Sequence, residues 1–298
     1  MLDYHSLFAL ATVVREGSFE RAARALHVTP SAVSQRIRVL EEQIGCALVT
    51  RGQPCEATEA GRRLCQHADR VRLLEHELHE QMPAFVLDGP ARVNVPIAVN
   101  ADSLATWFVP AMVAFSLQAP VLMQISIDDE AHTAQWLRSG SVLAAVTANE
   151  QPSAGCNCRA LGSMRYVAAA SPGFVERFFP RGVDADSLSA APSLMFSAKD
   201  ELQRRWAMQQ CGRHVELPRH TLPSSQAFVT ASLGGMGWAM HPLALIRDHL
   251  DSRQLVELEP HAPLDVPLFW QQARIASTVL DELSRAVIGA ANDGLLQG

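Results

Sequence analysis

Through the first 82 residues the apolar positions recur three and four apart, the period of helices packed on one side. Leu7, Leu10, Ala11 and Val14 predict a first helix from Tyr4 to Glu16. A second, short pattern runs from Phe19 to about Leu26, with Ser18 as its N-cap. The third starts after Thr29, with Pro30 at its first position and Gly45 at its stop. A hydroxyl cap followed by proline at the start, and glycine at the end, is the expected asymmetry of helix termini. The short hinge between the second and third helices predicts a helix-turn-helix, whose second helix enters the DNA major groove.

The third helix has two faces. Val33, Ile37, Leu40 and Ile44 form an apolar one. Ser31, Gln35 and Arg38 fall opposite, flanked by Ser34 and Arg36. Hydroxyls, an amide and guanidiniums read base edges and hold phosphates. Ser31, Ala32, Ser34, Gln35, Arg36, Arg38 and Arg51 are therefore the candidate DNA contacts. Glu41 and Glu42, near the far end, are expected to stand away from the DNA backbone or to pair with arginine.

Cys46 to Thr58 holds Gly52 and Pro54 between short β-prone runs, the pattern of a wing hairpin. Thr58 then caps a long helix predicted to run to about Met82. Leu64, Val71 and Leu78 are seven apart and Leu74 adds the offset position. This heptad stripe suits pairing with a second copy; packing on its own domain is the other use. Phe85 to Val95 carries the Gly-Pro punctuation of a linker.

From Arg92 onward apolar runs alternate with helical patterns. Strands are expected at Val93–Val99, Met123–Ile127, Leu143–Thr147, Tyr166–Ala170, Ser193–Phe196, Gly237–Met240 and Leu268–Gln272. Helices are expected at Ser103–Leu117, His132–Leu137, Gly173–Phe179, Asp200–Gln210, Ser225–Leu233, Leu243–Leu250 and Thr278–Ala291. The alternation predicts parallel sheets with helices on both faces, and its length predicts two α/β lobes around a cleft. The expected organisation is a winged helix-turn-helix at 1–58, a linker helix and hinge at 59–90, and a two-lobed domain at 91–298. Lobe 1 takes about 91–162 and 270–298, and lobe 2 about 163–269.

Composition is that of a soluble globular protein, with 48% hydrophobic and 19% charged residues. No apolar stretch is long enough for a membrane span, and the first residues lack a basic leader and a cleavage site. No membrane partner is expected, and a cytoplasmic location is. The net charge of −6 is unevenly spread. Residues 1–65 carry eight Arg against seven acids, net +1, which leaves −7 for the rest. Only the N-terminal part is electrostatically suited to DNA. Cys46, Cys55, Cys65, Cys156, Cys158 and Cys211 show no zinc spacing. Cys156-x-Cys158 reads as a pair of reduced, partly buried thiols, with a redox pair as the alternative. No phosphate loop, metal spacing or nucleophile motif occurs, so neither an enzyme nor a cofactor is expected.

The segment SFERAARALHVTPSAVSQRIRVLEEQIGCALVTR followed by ATEAG (Ala57–Gly61) resembles the winged helix-turn-helix signature of the LysR-type transcriptional regulators. The resemblance covers nearly the whole chain. Within that family it is similar to the ArgP/LysG (IciA) group through NADSLATWFVPA at Asn100–Ala111, IDDEAHTAQWLRSG at Ile127–Gly140, FSAKDELQ at Phe196–Gln203 and PSSQAFVTASLGGMGWAMHP at Pro223–Pro242. Two departures stand out. Ser197 follows the phenylalanine where Asn or Asp is expected, and Glu56 sits in the wing where a basic residue is usual.

The resemblance implies an N-terminal winged helix-turn-helix, a linker helix and an α/β effector domain like that of periplasmic binding proteins. It implies a double-stranded DNA operator, lysine or arginine as effector, a homodimer or tetramer, contact with RNA polymerase, and control of amino-acid export or metabolism. An amino-acid carboxylate suits helix N-termini and hydroxyls, which makes Asn100, Ser103, Thr106, Ser224 and Ser225 candidates. Thr147 closes the third strand and is a further one. An ammonium needs carboxylates, and Asp102, Asp128, Asp129 and Glu130 end strands where a cleft should lie; Asp200 ends another. On the residues alone a solvated loop or helix-capping acids is the favoured reading of the three adjacent acids, and the resemblance reverses it in favour of a cation site.

Overall fold

The computed structural model describes residues 2–50, 52–81, 93–119, 121–127, 136–137 and 141–297. Its first three helices are α1 (Tyr4–Glu16), α2 (Phe19–Ala25) and α3 (Pro30–Ile44). Ser18 Oγ accepts from the Arg21 amide, Thr29 Oγ1 accepts from the Ala32 amide, and Gly17 and Gly45 end α1 and α3 in the left-handed region. Leu10, Val13, Ala22, Ala23, Val33, Ile37 and Leu40 close the core between them. Ile44 departs from the expected apolar face: it lies one turn past Leu40, beyond that core, and is 40% exposed.

The wing is an antiparallel pair, β1 (Val49–Thr50) and β2 (Glu56–Ala57). Thr58 caps α4 (Glu59–Gln81), accepting from the Gly61 amide and donating its hydroxyl to Ala47 O. A Cβ at Gly61 would stand 2.0 Å from Leu48 O, so only glycine lets the wing close on α4 at this point. The stripe on α4 divides. Leu64 packs on α1 beside Leu7 and Ala68, whereas Leu74 and Leu78 are exposed. Leu73, one residue off the stripe, is buried in the core of the C-terminal half. Gln66 Nε2 donates to Ser141 Oγ at 3.4 Å, and Thr278 Oγ1 donates to Glu77 Oε1 at 3.4 Å.

In the C-terminal half, β3 (Asn94–Val99) lies parallel to β4 (Leu122–Ile127) and β5 (Ala144–Thr147). Between β3 and β4 runs α5, made of Ala101–Ser103, a π-helical stretch at Leu104–Phe108 and Val109–Ser116. The expectation of purely parallel sheets is corrected here. A long strand, β6 (Cys156–Ala170), pairs antiparallel with β11 (Leu264–Ala273) along most of its length and joins the lobes. These two strands cross between lobes instead of returning through a helix, so they run against each other. The register slips between Leu268 and Phe269, opposite Gly162, whose φ is +117°. The C-terminal end braces this bend: Ser163 and Leu296 exchange both backbone hydrogen bonds at 2.9 Å, and Gln297 Nε2 donates to Leu161 O at 3.1 Å.

The second lobe adds α6 (Pro172–Phe178), α7 (Ala185–Ala190), β7 (Ser193–Met195), α8 (Leu202–Cys211) and β8 (Arg219–Thr221). It continues with α9 (Ser225–Leu233), β9 (Ala239–Pro242), α10 (Leu243–Asp251) and β10 (Val256–Glu257). β7 and β8 are parallel, while β9 and β10 pair antiparallel with β6. The chain then returns through β11 to α11 (Thr278–Gly294), which buries Val279, Leu280, Leu283 and Val287 in the main core. The expected helix at His132–Leu137 falls mostly outside the described residues. No helix among the described residues is long and apolar enough to cross a membrane.

Candidate functional site

The residues expected to face DNA stand on the outer side of α3. With Val33, Ile37 and Leu40 turned inward, Ser31, Gln35 and Arg38 are exposed and Ala32, Ser34 and Arg36 are half-buried. Arg38 Nε donates to Glu42 Oε1 at 2.9 Å on the helix surface, an exchangeable exposed pair. Glu41 works differently: its carboxylate accepts from the Leu48 amide at 2.8 Å and the Val49 amide at 3.4 Å. It thus ties the end of α3 to the wing. Arg51 lies outside the described residues.

The second site is a cleft between the lobes. Asn100, Ala101 and Asp102 line it from the end of β3 and the start of α5; Phe196, Asp200, Gln203, Ser225, Phe228 and Met240 line it from the other lobe. Asparagine at an N-cap ordinarily bonds to the helix amides. Asn100 does not, and both polar atoms of its buried side chain have no hydrogen-bond partner among the described residues. Ser225 Oγ and Gln203 Oε1 are likewise buried and unpartnered. Buried polar atoms are nearly always paired, so three such groups around one cleft mark a place built for a ligand. Two carboxylates, Asp102 and Asp200, and no basic side chain face it among the lining residues.

Each carboxylate is held. Tyr166, buried on β6, donates its hydroxyl to Asp102 Oδ2 at 2.8 Å. Asp200 accepts from the Phe196 amide at 2.9 Å and the Leu202 amide at 3.1 Å, which fixes the turn into α8. Ser197 supplies the local bond that an Asn or Asp there would make, accepting from the Lys199 amide at 3.1 Å. On the far face of β9, His241 lies buried with Nε2 3.0 Å from Ser232 Oγ. Burial pushes its pKa down to about 3, so it is neutral.

The cleft thus gathers Asn100, Asp102 and Ser225 of the expected effector residues. Ser103 turns into the core and accepts from Trp107 Nε1 at 3.1 Å. Thr106 bonds back to Asp102 O at 2.7 Å, and Thr147 is buried on β5, accepting from the Asn149 amide. Ser224 is the exposed N-cap of α9. Asp128, Asp129 and Glu130 lie outside the described residues. Gln203, Phe196, Phe228 and Met240 are site residues that the sequence reading did not assign. Gln203 had two signals: it ends the segment Phe196–Gln203, and it is polar three and four residues before Trp206 and Ala207, on the buried face of its helix.

A DNA-reading helix-turn-helix joined by a long helix to a two-lobed domain with a polar cleft defines an effector-responsive transcriptional regulator. The family model for bacterial regulatory helix-turn-helix proteins, lysR family, matches residues 4–62, and that for the LysR substrate binding domain matches residues 91–291. The chain belongs to the LysR family of transcriptional regulators. The HTH-type transcriptional regulator ArgP of Pseudomonas aeruginosa is 40% identical over 297 residues, covering 100% of this chain and 98% of that protein. The crystal structure of ArgP from Mycobacterium tuberculosis superposes with a TM-score of 0.82 at 41% identity, covering 100% of both chains. Full-length LysG from Corynebacterium glutamicum with bound effector Arg gives a TM-score of 0.70 at 36% identity, over 99% of this chain and 100% of that one.

Proposed function

We propose that this regulator senses a basic amino acid, arginine or lysine, in the cleft between its effector lobes and controls genes of amino-acid export or metabolism. The observation that carries the reading is the lining of that cleft among the described residues: two carboxylates, three buried polar side chains with unpartnered atoms, and no basic group. An amino acid with a cationic side chain complements it. Its carboxylate meets Ser225 and the unclaimed amides that begin α9. Its α-ammonium meets Asp102, with Asn100 bonding to either group. Asp128, Asp129 and Glu130 stay the further candidates for the cationic side chain, on their sequence position after β4. Arginine is the bound effector of the Corynebacterium glutamicum relative, which supports this assignment.

In this reading Ser31, Ala32, Ser34, Gln35, Arg36 and Arg38 of α3 contact the operator, with Arg51 of the wing on its phosphates. Division into 1–58, 59–90 and 91–298 follows these roles. Pairing of two copies uses the exposed Leu74 and Leu78 of α4, together with the exposed Val109, Val113, Leu117, Leu122 and Ile127 of the effector half. Contact with RNA polymerase and a cytoplasmic location accompany the role. Effector closure of the lobes shifts their relative orientation and hence the spacing of paired winged helices on DNA.

Burial pushes the thiols of Cys65, Cys156, Cys158 and Cys211 up, Cys65 to about 12, which disfavours a redox sensor built on these four thiols, the Cys156-x-Cys158 pair included. The test is a footprint, with and without L-arginine, on a promoter fragment selected from genomic DNA by binding to the purified protein. A sequence-specific footprint whose extent changes with arginine is expected; an unchanged footprint across basic amino acids opposes the reading.

A further inference from the structure

Gln203 is fully buried at the second residue of α8, and its two amide ends have separate fates. Nε2 donates to Leu194 O at 2.7 Å. That carbonyl belongs to β7, whose Leu194 amide is tied to Trp238 O at 2.8 Å, so the acceptor is fixed in the lobe. A backbone carbonyl accepts only from a donor, which forces the NH₂ group toward Leu194 and leaves Oε1 as the other end. Oε1 has no partner among the described residues, and Gln203 lines the cleft. The cleft therefore contains, beside its carboxylates, a buried uncharged group that accepts a hydrogen bond and cannot donate one.

Such a group discriminates. It bonds to an N–H, and it repels a carboxylate. Its position separates it from the elements assigned to the α-carbon: Ser225 starts α9, and Asp102 belongs to the other lobe. Beside it Asp200 accepts the Leu202 amide, setting a negative charge against the positive end of α8 that would otherwise face a cation. We infer that Gln203 is a specificity-determining residue whose carbonyl accepts a hydrogen bond from the cationic side chain of the effector, so that the site prefers basic amino acids to neutral ones of the same length. This rests on the amino-acid reading of the cleft and adds what selects the side chain.

The probe pair is L-lysine and L-norleucine, which lacks the ε-ammonium. Calorimetry on the full chain is expected to give roughly tenfold or more preference for lysine, the scale of one hydrogen bond to a charged group. Gln203→Met keeps the volume and removes the acceptor; it should cut that preference at least threefold while norleucine binds as before or better. Equal loss for both ligands, or an unchanged ratio, overturns the inference, since a merely structural role affects both alike. If the variant does not unfold cooperatively on heating, the crystal structure of the unmodified protein with L-lysine decides. Oε1 should then lie within ~3.2 Å of the ligand Nζ, and an Nζ bonded elsewhere overturns the inference. Failure of the unmodified protein to bind either basic amino acid is a different result: it removes the amino-acid reading, and this inference with it.

Discussion

The hydroxyl of Tyr166 lies 2.8 Å from Asp102 Oδ2 and so joins the strand that crosses between the lobes to the first turn of the cleft helix. One bond ties the carboxylate assigned to the ligand ammonium to the strand shared by the two lobes. Tyr166→Phe keeps the ring and frees Asp102 from this tether. The expected result is arginine affinity lower by roughly three- to thirtyfold, within the range of a charge-assisted hydrogen bond, read by calorimetry. Unaltered affinity would show that Asp102 needs no such anchor.

The reading face of α3 predicts a loss confined to the right sequence. Gln35→Ala should cost about 1–3 kcal/mol on the operator and little on random DNA, measured by gel shift at fixed salt. Equal loss on both would make Gln35 a backbone contact.

At the bend of β6, Gly162 has a φ of +117°, and a Cβ there would stand 2.6 Å from Leu296 O. That oxygen accepts the Ser163 amide and cannot move freely. Gly162→Ala should therefore destabilise the effector half by roughly 2 kcal/mol or more, seen as a lower Tm. A Tm equal to that of the unmodified chain would mean that the C-terminal brace is soft.

His241 predicts a pH dependence. In the folded chain its pKa is pushed from 6.5 down to about 3, so it stays neutral while the unfolded chain binds a proton. Its contribution is fully present above pH 6.5 and is lost as pH falls from there toward 3, at no more than about 1.4 kcal/mol per pH unit. Denaturant titrations from pH 7 to 4.5 should show a shallower decline in His241→Gln; parallel declines would remove His241 as the source.

The N-terminal domain could be read almost residue by residue because its signals are local. Ser18, Thr29, Pro30, Gly45 and Thr58 each act on the turn in which they stand. β6 was caught only over Tyr166–Ala170, since Cys156–Arg165 contains Gly162 and no β-branched residue. Its strand character comes from pairing with β11, more than ninety residues away. The cleft shows the same division. Asn100, Asp102 and Ser225 stand at strand or helix ends visible in the pattern, whereas Ser103 looked equivalent and was claimed by Trp107 through tertiary packing. Gln203 carries no charge, and although it ends the segment Phe196–Gln203, its proposed role depends on a carbonyl nine residues earlier in the chain.

The central claim is that the interlobe cleft binds a basic amino acid through Asp102 and Ser225. Isothermal titration of L-arginine into the full chain, beside Asp102→Asn and Ser225→Ala, tests it most directly. The account predicts one saturable site in the unmodified protein and roughly tenfold or greater weakening in each variant. Absence of binding to the unmodified chain, or equal affinity in all three proteins, would contradict it.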